Sequence, residues 1–566
     1  MLAGLVKRAV GSLSDDGIRA LVRFGFSRTQ RAFDVACADP RAAQTTRLLE
    51  IVGRNAHTEI GKALGFADIK NLDDWRARVP LSDWDTTAPY VDRMVAGEDN
   101  VLVDEAPIFY ATTSGTTGRR KLIPVTSAFV AECRVANRVL YRTMLLAMPG
   151  LIRGKRLNMR SPGTEKLSAH AEAGSITVAL AGGVDDDNLL DAVPTAVFSV
   201  SDFATRYRLA LRFALQERLT VCSSINPSTL QLFATALADN ADALADGLDS
   251  GDFGVDVSSL GDEARALLQK RLKKAPRTAA LLRSSQQDHG SARWRDVAPE
   301  LSGIVTWKGG ASSWWLERLK SSYGDVPVLD FGYAASEGVF GAPISTADAS
   351  SVLLPHGHVI ELLPEGDTDG THTLFLDEAA VGQRYEVIVT TSAGLYRYRM
   401  HDIIEIVGRH DKAPLAVFRH KAGTMCSITG EKLGEAHVAT ALSAVGFTGS
   451  GVVLAPRYPT DGSTPGYVVV VEENALTANF IERLDAALCD ANDEYEAKRN
   501  SLRLAPLHVL TIAVGSFAGL RHRRVAAGAP DAHVKLPLLS SDGRVLRELG
   551  LDPAISIVSV DNASTT

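Results

Sequence analysis

Between residues 101 and 331 the sequence changes its hydrophobic period repeatedly. Strand-length apolar runs lie at 106–111, 176–180, 196–200, 219–225, 303–307 and 326–331. Helical stretches, such as 127–147 and 203–216, separate several of them. Such alternation suits helices laid on a sheet, and it predicts an α/β layer. At 566 residues the chain exceeds what one ordinary hydrophobic core supports, so two or more domains are expected.

The flanks read differently. Leu5, Val6, Val10 and Leu13, then Ile18, Leu21, Val22 and Phe26, recur near helical spacing and predict a helical cap over residues 1–65. The acidic, polar stretch 240–265 reads as surface. Runs at 359–363, 373–376 and 385–391 are strand-like, with Gly- and Asp-rich turns between them, and 395–407 continues them. They predict an antiparallel sheet or barrel. A hinge is expected within 411–423, which contains Pro414. Beyond it, strands at 452–455, 467–471 and 507–514 predict a small α+β domain. Its helix is expected to be capped by Thr477, with an apolar face of Phe480, Ile481, Leu484, Leu488, Ala491 and Tyr495.

Charge removes one class of partner. Lys and Arg number 60 against 67 Asp and Glu, a net charge of -7, which argues against nucleic acid held on a broad basic surface. The five cysteines are scattered and form no C-x-x-C, so a reducing compartment is expected. No apolar run approaches membrane-spanning length, and the N-terminal stretch has no signal-peptide core. A cytoplasmic enzyme is the expectation.

The strand-like run 106–111 leads into YATTSGTTGRRKLIP, residues 110–124. Glycines allow backbone N–H groups to approach an anion, hydroxyls donate further hydrogen bonds, and Arg119, Arg120 and Lys121 supply charge. A P-loop is excluded, because the glycine that pattern requires after Gly115 falls on Arg120. A Gly/Thr-rich turn alone is more often only a turn. In DFGYAASEGVFG, residues 330–341, Tyr333 could stack on a base and Glu337 could ligate Mg²⁺, although a solvated glutamate at a strand end is the plainer reading. In GLYRYRMHDIIEIVGR, residues 394–409, Asp402 lies among apolar neighbours and must find a partner. Arg397 or Arg399 could serve, or a ribose diol could. Lys535, in HVKLP, and Lys432, in a Gly-Glu-Lys turn, are ordinary in isolation. No G-x-S-x-G or H-E-x-x-H occurs. His356 and His358 form H-x-H, which reads better as a turn entering a strand than as a metal site.

Taken in order, these stretches resemble the acyl-acid amido synthetases of the auxin-responsive (Gretchen Hagen type) family, within the acyl-adenylate-forming superfamily. The family's Ser/Thr- and Gly-rich loop is similar to residues 113–124, its Tyr-Ala-Ser-Ser-Glu to 333–337, and its Tyr-Arg-apolar-Gly-Asp to 398–402. RNAHTEIGKALGF (54–66), INPSTL (225–230), WKGGAS (307–312), TGEKLGEAHV (429–438) and GSFAGL followed by HVKLP extend the likeness over nearly the whole chain.

The resemblance implies a large N-terminal adenylate-forming domain, 1–417, of α/β sheet layers plus a distorted β-barrel. It also implies a small, mobile α+β C-terminal domain, 418–566, rotating about a hinge near 419–423. It implies that ATP activates a carboxylic acid as an acyl-adenylate, which an amine, usually an amino acid's, converts to an amide. ATP and Mg²⁺ are the expected cofactors, and small molecules the expected partners of a monomer that binds neither nucleic acid nor membrane. Carried over residue by residue, Ser114, Gly115, Thr116 and Thr117 line the phosphates with Thr113 and Lys121 beside them. Tyr333, Ala334 and Ser336 hold the adenine, with Gly309, Gly310 and Ala311 beneath it. Glu337 ligates Mg²⁺, Asp402 binds the ribose, Lys535 neutralises the α-phosphate and Lys432 assists. Two positions depart from the family: Ala335 replaces a frequent serine, and His401 replaces the glycine before the ribose-binding aspartate. If that glycine serves a positive φ, His401 is strained or the loop differs. Thioester formation with coenzyme A or a carrier protein, and nucleotide binding without catalysis, are the alternatives.

Overall fold

Four parallel strands carry the α/β layer, in the order Lys155–Asn158, Leu219–Ser223, Gly303–Val305, Val328–Leu329. Leu219–Ser223 is buried along its whole length, as strands covered on both faces are. Helices that include Phe203–Leu215, Pro227–Asp239 and Pro276–His289 share a core with this sheet, built on Leu157, Phe213, Phe233, Trp294 and Tyr323. The computed structural model describes residues 12–112, 121–158, 164–176, 190–200, 202–309, 312–367, 372–421, 425–426, 428, 431, 433–449, 451–459, 463–500, 502–527, 534–541 and 543–551. They form two compact units that divide between Arg419 and His420.

In the first unit, helices Asp15–Gly25, Ser27–Ala38 and Pro40–Asn55 form the expected N-terminal helical region; of its expected apolar positions Ile18 and Val22 are buried, Leu13 and Leu21 are exposed, and Leu5, Val6 and Val10 lie outside the described residues. A second sheet orders Leu122–Val125, Phe109–Thr112, Glu172–Gly174 and Thr164–Lys166. A third has seven antiparallel strands, from Gly341–Ala342 at one edge to Leu374–Phe375 at the other. The expected distorted barrel is therefore a half-barrel with open edges. Helix Ser127–Ala147 lies in one core with it, through Phe129, Val130, Cys133 and Ala136.

Several expectations need correction. The apolar run at 196–200 is not a strand; Thr195–Phe198 is a short helix that buries Val197 and Phe198. A run that short does not distinguish the two by period. Of the strand expected at 176–180, only Ile176 is among the described residues. The acidic stretch 240–265 contributes to the core, because helix Ala241–Ser250 buries Leu244, Ala245 and Leu248 while Asp246 and Asp249 pair with Arg283 outside. Most of the expected hinge is strand Ala413–Lys421 of the seven-stranded sheet, with Pro414 near its start.

The second unit has strands Val452–Arg457 and Gly466–Glu472 antiparallel, with His508–Ile512 added in parallel. Helix Phe480–Ala491 starts at Asn479, in left-handed conformation, rather than through a Thr477 side-chain cap. Tyr495 belongs to the following helix, Asp493–Asn500.

Candidate active site

The Gly-rich loop leaves and re-enters one hairpin. Thr112 pairs with Leu122 across it, so both ends of the loop are fixed at one point of the sheet. Thr113, Ser114, Gly115, Thr116 and Thr117 lie outside the described residues. Lys121, at the loop's end, donates from Nζ to the Tyr398 hydroxyl at 2.8 Å and lies 5.5 Å from the centre of that ring. Lys121, one of the three cations of the first stretch, is thus held by the third.

The second stretch follows the parallel strand Val328–Leu329. Ligands of open α/β sheets bind beyond the carboxyl ends of such strands. Asp330 turns the chain there. Its Oδ2 accepts the Lys308 backbone N–H and its Oδ1 that of Gly332, each at 2.6 Å. One carboxylate thereby joins the loops after two neighbouring strands. Burial pushes its pKa up to about 6, against the pull of the two amides. Gly310 and Ala311, further along the Lys308 loop, lie outside the described residues.

Beyond Tyr333, Ala334–Ala335 pairs with Gly338–Val339 as a tight hairpin whose turn carries Ser336 and Glu337. The Ser336 hydroxyl donates to the Thr112 carbonyl at 3.3 Å, which places the turn against the start of the Gly-rich loop. Glu337 is buried, and among the described residues no group hydrogen-bonds or ion-pairs with its carboxylate. The Tyr333 hydroxyl donates to Asp402 Oδ2. Burial, and then the Asp402 charge, hold that phenol well above its ordinary pKa. The Tyr333 ring stacks with Phe418 at 6.5 Å.

The third stretch is an irregular strand. In Tyr398–His410 the pairing passes from Arg399 opposite Ile388 to Ile403 opposite Glu386. Met400, His401 and Asp402 therefore stand against Val387 alone. Such a bulge re-aims side chains, and here it accompanies an Asp402 turned to Tyr333. His401 sits in the bulge at φ 57, so it does occupy a backbone conformation that favours glycine. Its Nδ1 lies 3.0 Å from Glu386 Oε1. Arg399 forks onto the same carboxylate, at 3.0 and 2.6 Å. Burial alone would raise the Glu386 pKa, but His401 and Arg399 bring it down to about 2. The arginine partner considered for Asp402 is thereby ruled out on both counts, since Arg397 is committed to the buried Glu361, at 2.9 and 2.7 Å.

The H-x-H pair is structural. His358 is fully buried beside Glu132, and burial lowers His356 to about 4. Among the described residues no group of three or more His, Cys, Asp or Glu is placed to hold a metal ion. In the second unit, Lys535 donates from Nζ to Glu435 Oε2 at 3.2 Å, and Glu435 Oε1 accepts the Leu538 N–H at 2.7 Å. Lys432 lies outside the described residues.

Residues 29–328 match the GH3 family N-terminal domain, 351–421 its central domain and 435–544 its C-terminal domain. The chain belongs to the GH3 family. It is similar to the indole-3-acetic acid-amido synthetase GH3.4 of Arabidopsis thaliana, at 23% identity over 88% of this chain and 89% of that protein. It is 26% identical to indole-3-acetic acid-amido synthetase GH3.8 of Oryza sativa subsp. indica, over 91% of each. Among solved structures, the AtGH3.15 acyl acid amido synthetase in complex with 2,4-DB superposes with a TM-score of 0.80 at 19% identity, covering 92% of this chain and 95% of that one. 2-Hydroxyisobutyryl-CoA ligase in the postadenylation state superposes at 0.51 and 13%, covering 90% and 91%. The fold is that of the adenylate-forming ligases, as the motifs implied.

Three residues of this GH3-family site went unassigned in the sequence: Asp330, Glu386 and Tyr398. Asp330 had a signal, an aspartate closing an apolar strand two residues before a glycine. Tyr398 had one too, as the tyrosine that opens the third motif, although no role followed from it; Glu386 had none, because its partners come from the bulge.

Proposed function

We propose that this GH3-family chain is an ATP-dependent ligase that activates a carboxylic acid as its acyl-adenylate and transfers the acyl group to the amine of an amino acid. One observation carries the assignment of the site: the three separated motifs meet in the first unit, through Ser336 to Thr112, Lys121 to Tyr398 and Tyr333 to Asp402. The relatives named as amido synthetases support the amide product.

A carboxylate is a poor electrophile until it carries a good leaving group. In the first step its oxygen bonds to the α-phosphorus of ATP and pyrophosphate leaves. In the second the amine nitrogen bonds to the acyl carbon, the bond to AMP breaks, and the nitrogen gives up a proton. Residues 113–117 and Lys121 hold the phosphates, and Asp402 the ribose hydroxyls. Tyr333, Ala334 and Ser336 line the adenine side, with Gly310 and Ala311 beneath. Lys535 neutralises the α-phosphate with help from Lys432, on a C-terminal domain of residues 418–566 that turns between the two steps.

Glu337 fits a divalent cation. Its side chain is largely buried, and its carboxylate makes no hydrogen bond or ion pair with a described residue. Mg²⁺ commonly takes one or two carboxylates and completes its shell with phosphate oxygens and water. When bound, it polarises phosphoryl oxygens and offsets their charge. The five free cysteines support a cytoplasmic setting. No described helix is long and apolar enough to cross a membrane.

The test is acid-dependent exchange of pyrophosphate into ATP, followed by amine-dependent AMP release, across a panel of acids crossed with amino acids. Acid-dependent exchange with release by a thiol but not by amines would replace the amide reading with a thioester one. Nucleotide binding without exchange over the whole panel would sink the ligase assignment.

A further inference from the structure

A deeply buried polar network of the first unit centres on Glu132 and His358. Glu132, on helix Ser127–Ala147, has its carboxylate 1% exposed. It accepts the Ser392 N–H at 3.0 Å and the Ser392 hydroxyl at 2.5 Å, and it pairs with Arg47. Its Oε2 lies 2.9 Å from Nδ1 of His358, which is fully buried. Burial alone would raise the Glu132 pKa, but His358, Arg47 and Ser392 hold it below its ordinary value. The carboxylate is therefore charged, and it lies against the imidazole.

The other face of that imidazole meets the hairpin. Nε2 accepts the Val339 N–H at 3.3 Å. An acceptor at Nε2 puts the ring proton on Nδ1, the nitrogen 2.9 Å from Glu132 Oε2. Gly338 packs so closely that a Cβ there would stand 2.9 Å from Nε2 and 2.8 Å from the Phe340 ring. Cys133 Sγ is 3.9 Å from the same nitrogen, but burial pushes its thiol pKa up and Nε2 already holds the Val339 amide. A Cys–His–Glu catalytic reading therefore fails. What the imidazole touches is the strand that immediately follows Glu337.

We infer that His358, held by Glu132, is a positioning residue for Glu337: it sets the height of the Ala334–Ala335/Gly338–Val339 hairpin and so the place of the metal-binding carboxylate. The inference rests on the proposed metal role of Glu337. Outer partners of a metal ligand typically govern affinity by 10–100-fold.

Mn²⁺ titrated into the full chain with a non-hydrolysable ATP analogue, followed by electron paramagnetic resonance, reads the site without turnover. His358→Gln keeps an acceptor near Nε2. His358→Asn keeps a donor toward Glu132 but nothing to receive the Val339 N–H. The expected result is Mn²⁺ affinity about tenfold weaker in His358→Asn and within about threefold of wild type in His358→Gln. Wild-type affinity in His358→Asn, or equal losses in both variants, would overturn the inference. Should His358→Asn not fold, Gly338→Ala displaces the hairpin from the other side. Weakening of about tenfold there supports the inference, and unchanged affinity overturns it. Glu337→Gln separates the two claims. If it leaves Mn²⁺ binding intact, the metal reading itself is wrong; if it weakens binding while His358→Asn does not, only the positioning role fails.

Discussion

The Tyr333 hydroxyl donates a 2.9 Å hydrogen bond to Asp402 Oδ2, joining residues 69 positions apart. The bond crosses from the hairpin to the bulged strand, and both side chains are buried. It orients one carboxylate oxygen.

If Asp402 receives the ribose hydroxyls, Asp402→Ala removes charge-assisted hydrogen bonds to the nucleotide. Such bonds are worth about 1.5–3 kcal/mol, so ATP should bind roughly 10–100-fold more weakly. Tyr333→Phe keeps the carboxylate and loses the Tyr333 donor, so its effect should be smaller and in the same direction. Isothermal titration with ATP checks both. Unchanged affinity in Asp402→Ala would make the ribose role wrong.

His401 allows a test of strain. A non-glycine residue at φ 57 costs about 1–2 kcal/mol relative to glycine, but this one also contacts Glu386. His401→Ala loses the contact and keeps the strain; His401→Gly loses the contact and relieves it. The glycine variant should therefore be the more stable of the two by about 1 kcal/mol, after its greater unfolded-state entropy is counted. Urea unfolding of the pair decides it, and an alanine variant more stable than the glycine one by about 0.4–1 kcal/mol would show that the bulge carries no strain.

That bulge also marks how far the sequence could be read. The strand–helix alternation of the α/β layer, the Ser127–Ala147 helix and the antiparallel strands were legible because each keeps one hydrophobic period over several residues. The short helix at Thr195–Phe198 was not, because it spans little more than one turn. Asp402 was visible as an acid among apolar neighbours, but its partner was not. The bulge puts three residues against one, and no period in the sequence records that. The nearer arginines were plausible and are spent on Glu361 and Glu386. The Glu132–His358 pair was equally hidden, since nothing local links a mid-helix glutamate to a histidine entering a strand 225 residues beyond its neighbour Cys133.

Asp330 should leave a signature in the pH dependence of stability. Its folded pKa, about 6, lies above that of an exposed aspartate, about 4. The folded state therefore binds the proton more tightly, and stability rises as pH falls from 7 toward 4. The full effect is ~3 kcal/mol, set by the difference between the two pKa values. Asp330→Asn cannot titrate. Between pH 7 and pH 4 the wild-type chain should gain stability relative to this variant, measured by denaturant unfolding at each pH. A constant difference across that range would show that the carboxyl is not perturbed.

Lys535 is the last test, because its present partner is a competitor for its proposed one. It is 41% exposed and donates to Glu435, a pair whose contribution to stability should be ~0–1 kcal/mol. Lys535→Ala should therefore leave the second unit folded. It should also leave ATP binding near wild type, since the first unit supplies Asp402 and Lys121. If the ammonium meets charge that develops on the α-phosphate, its loss falls on the adenylation rate, by about 10²–10³-fold in pyrophosphate exchange. Glu435→Gln weakens the competing pair and keeps the ammonium, so exchange in that variant should not fall. Exchange at full rate in Lys535→Ala would remove the α-phosphate role. A loss of ATP affinity equal to the loss of rate would assign Lys535 to ground-state binding instead.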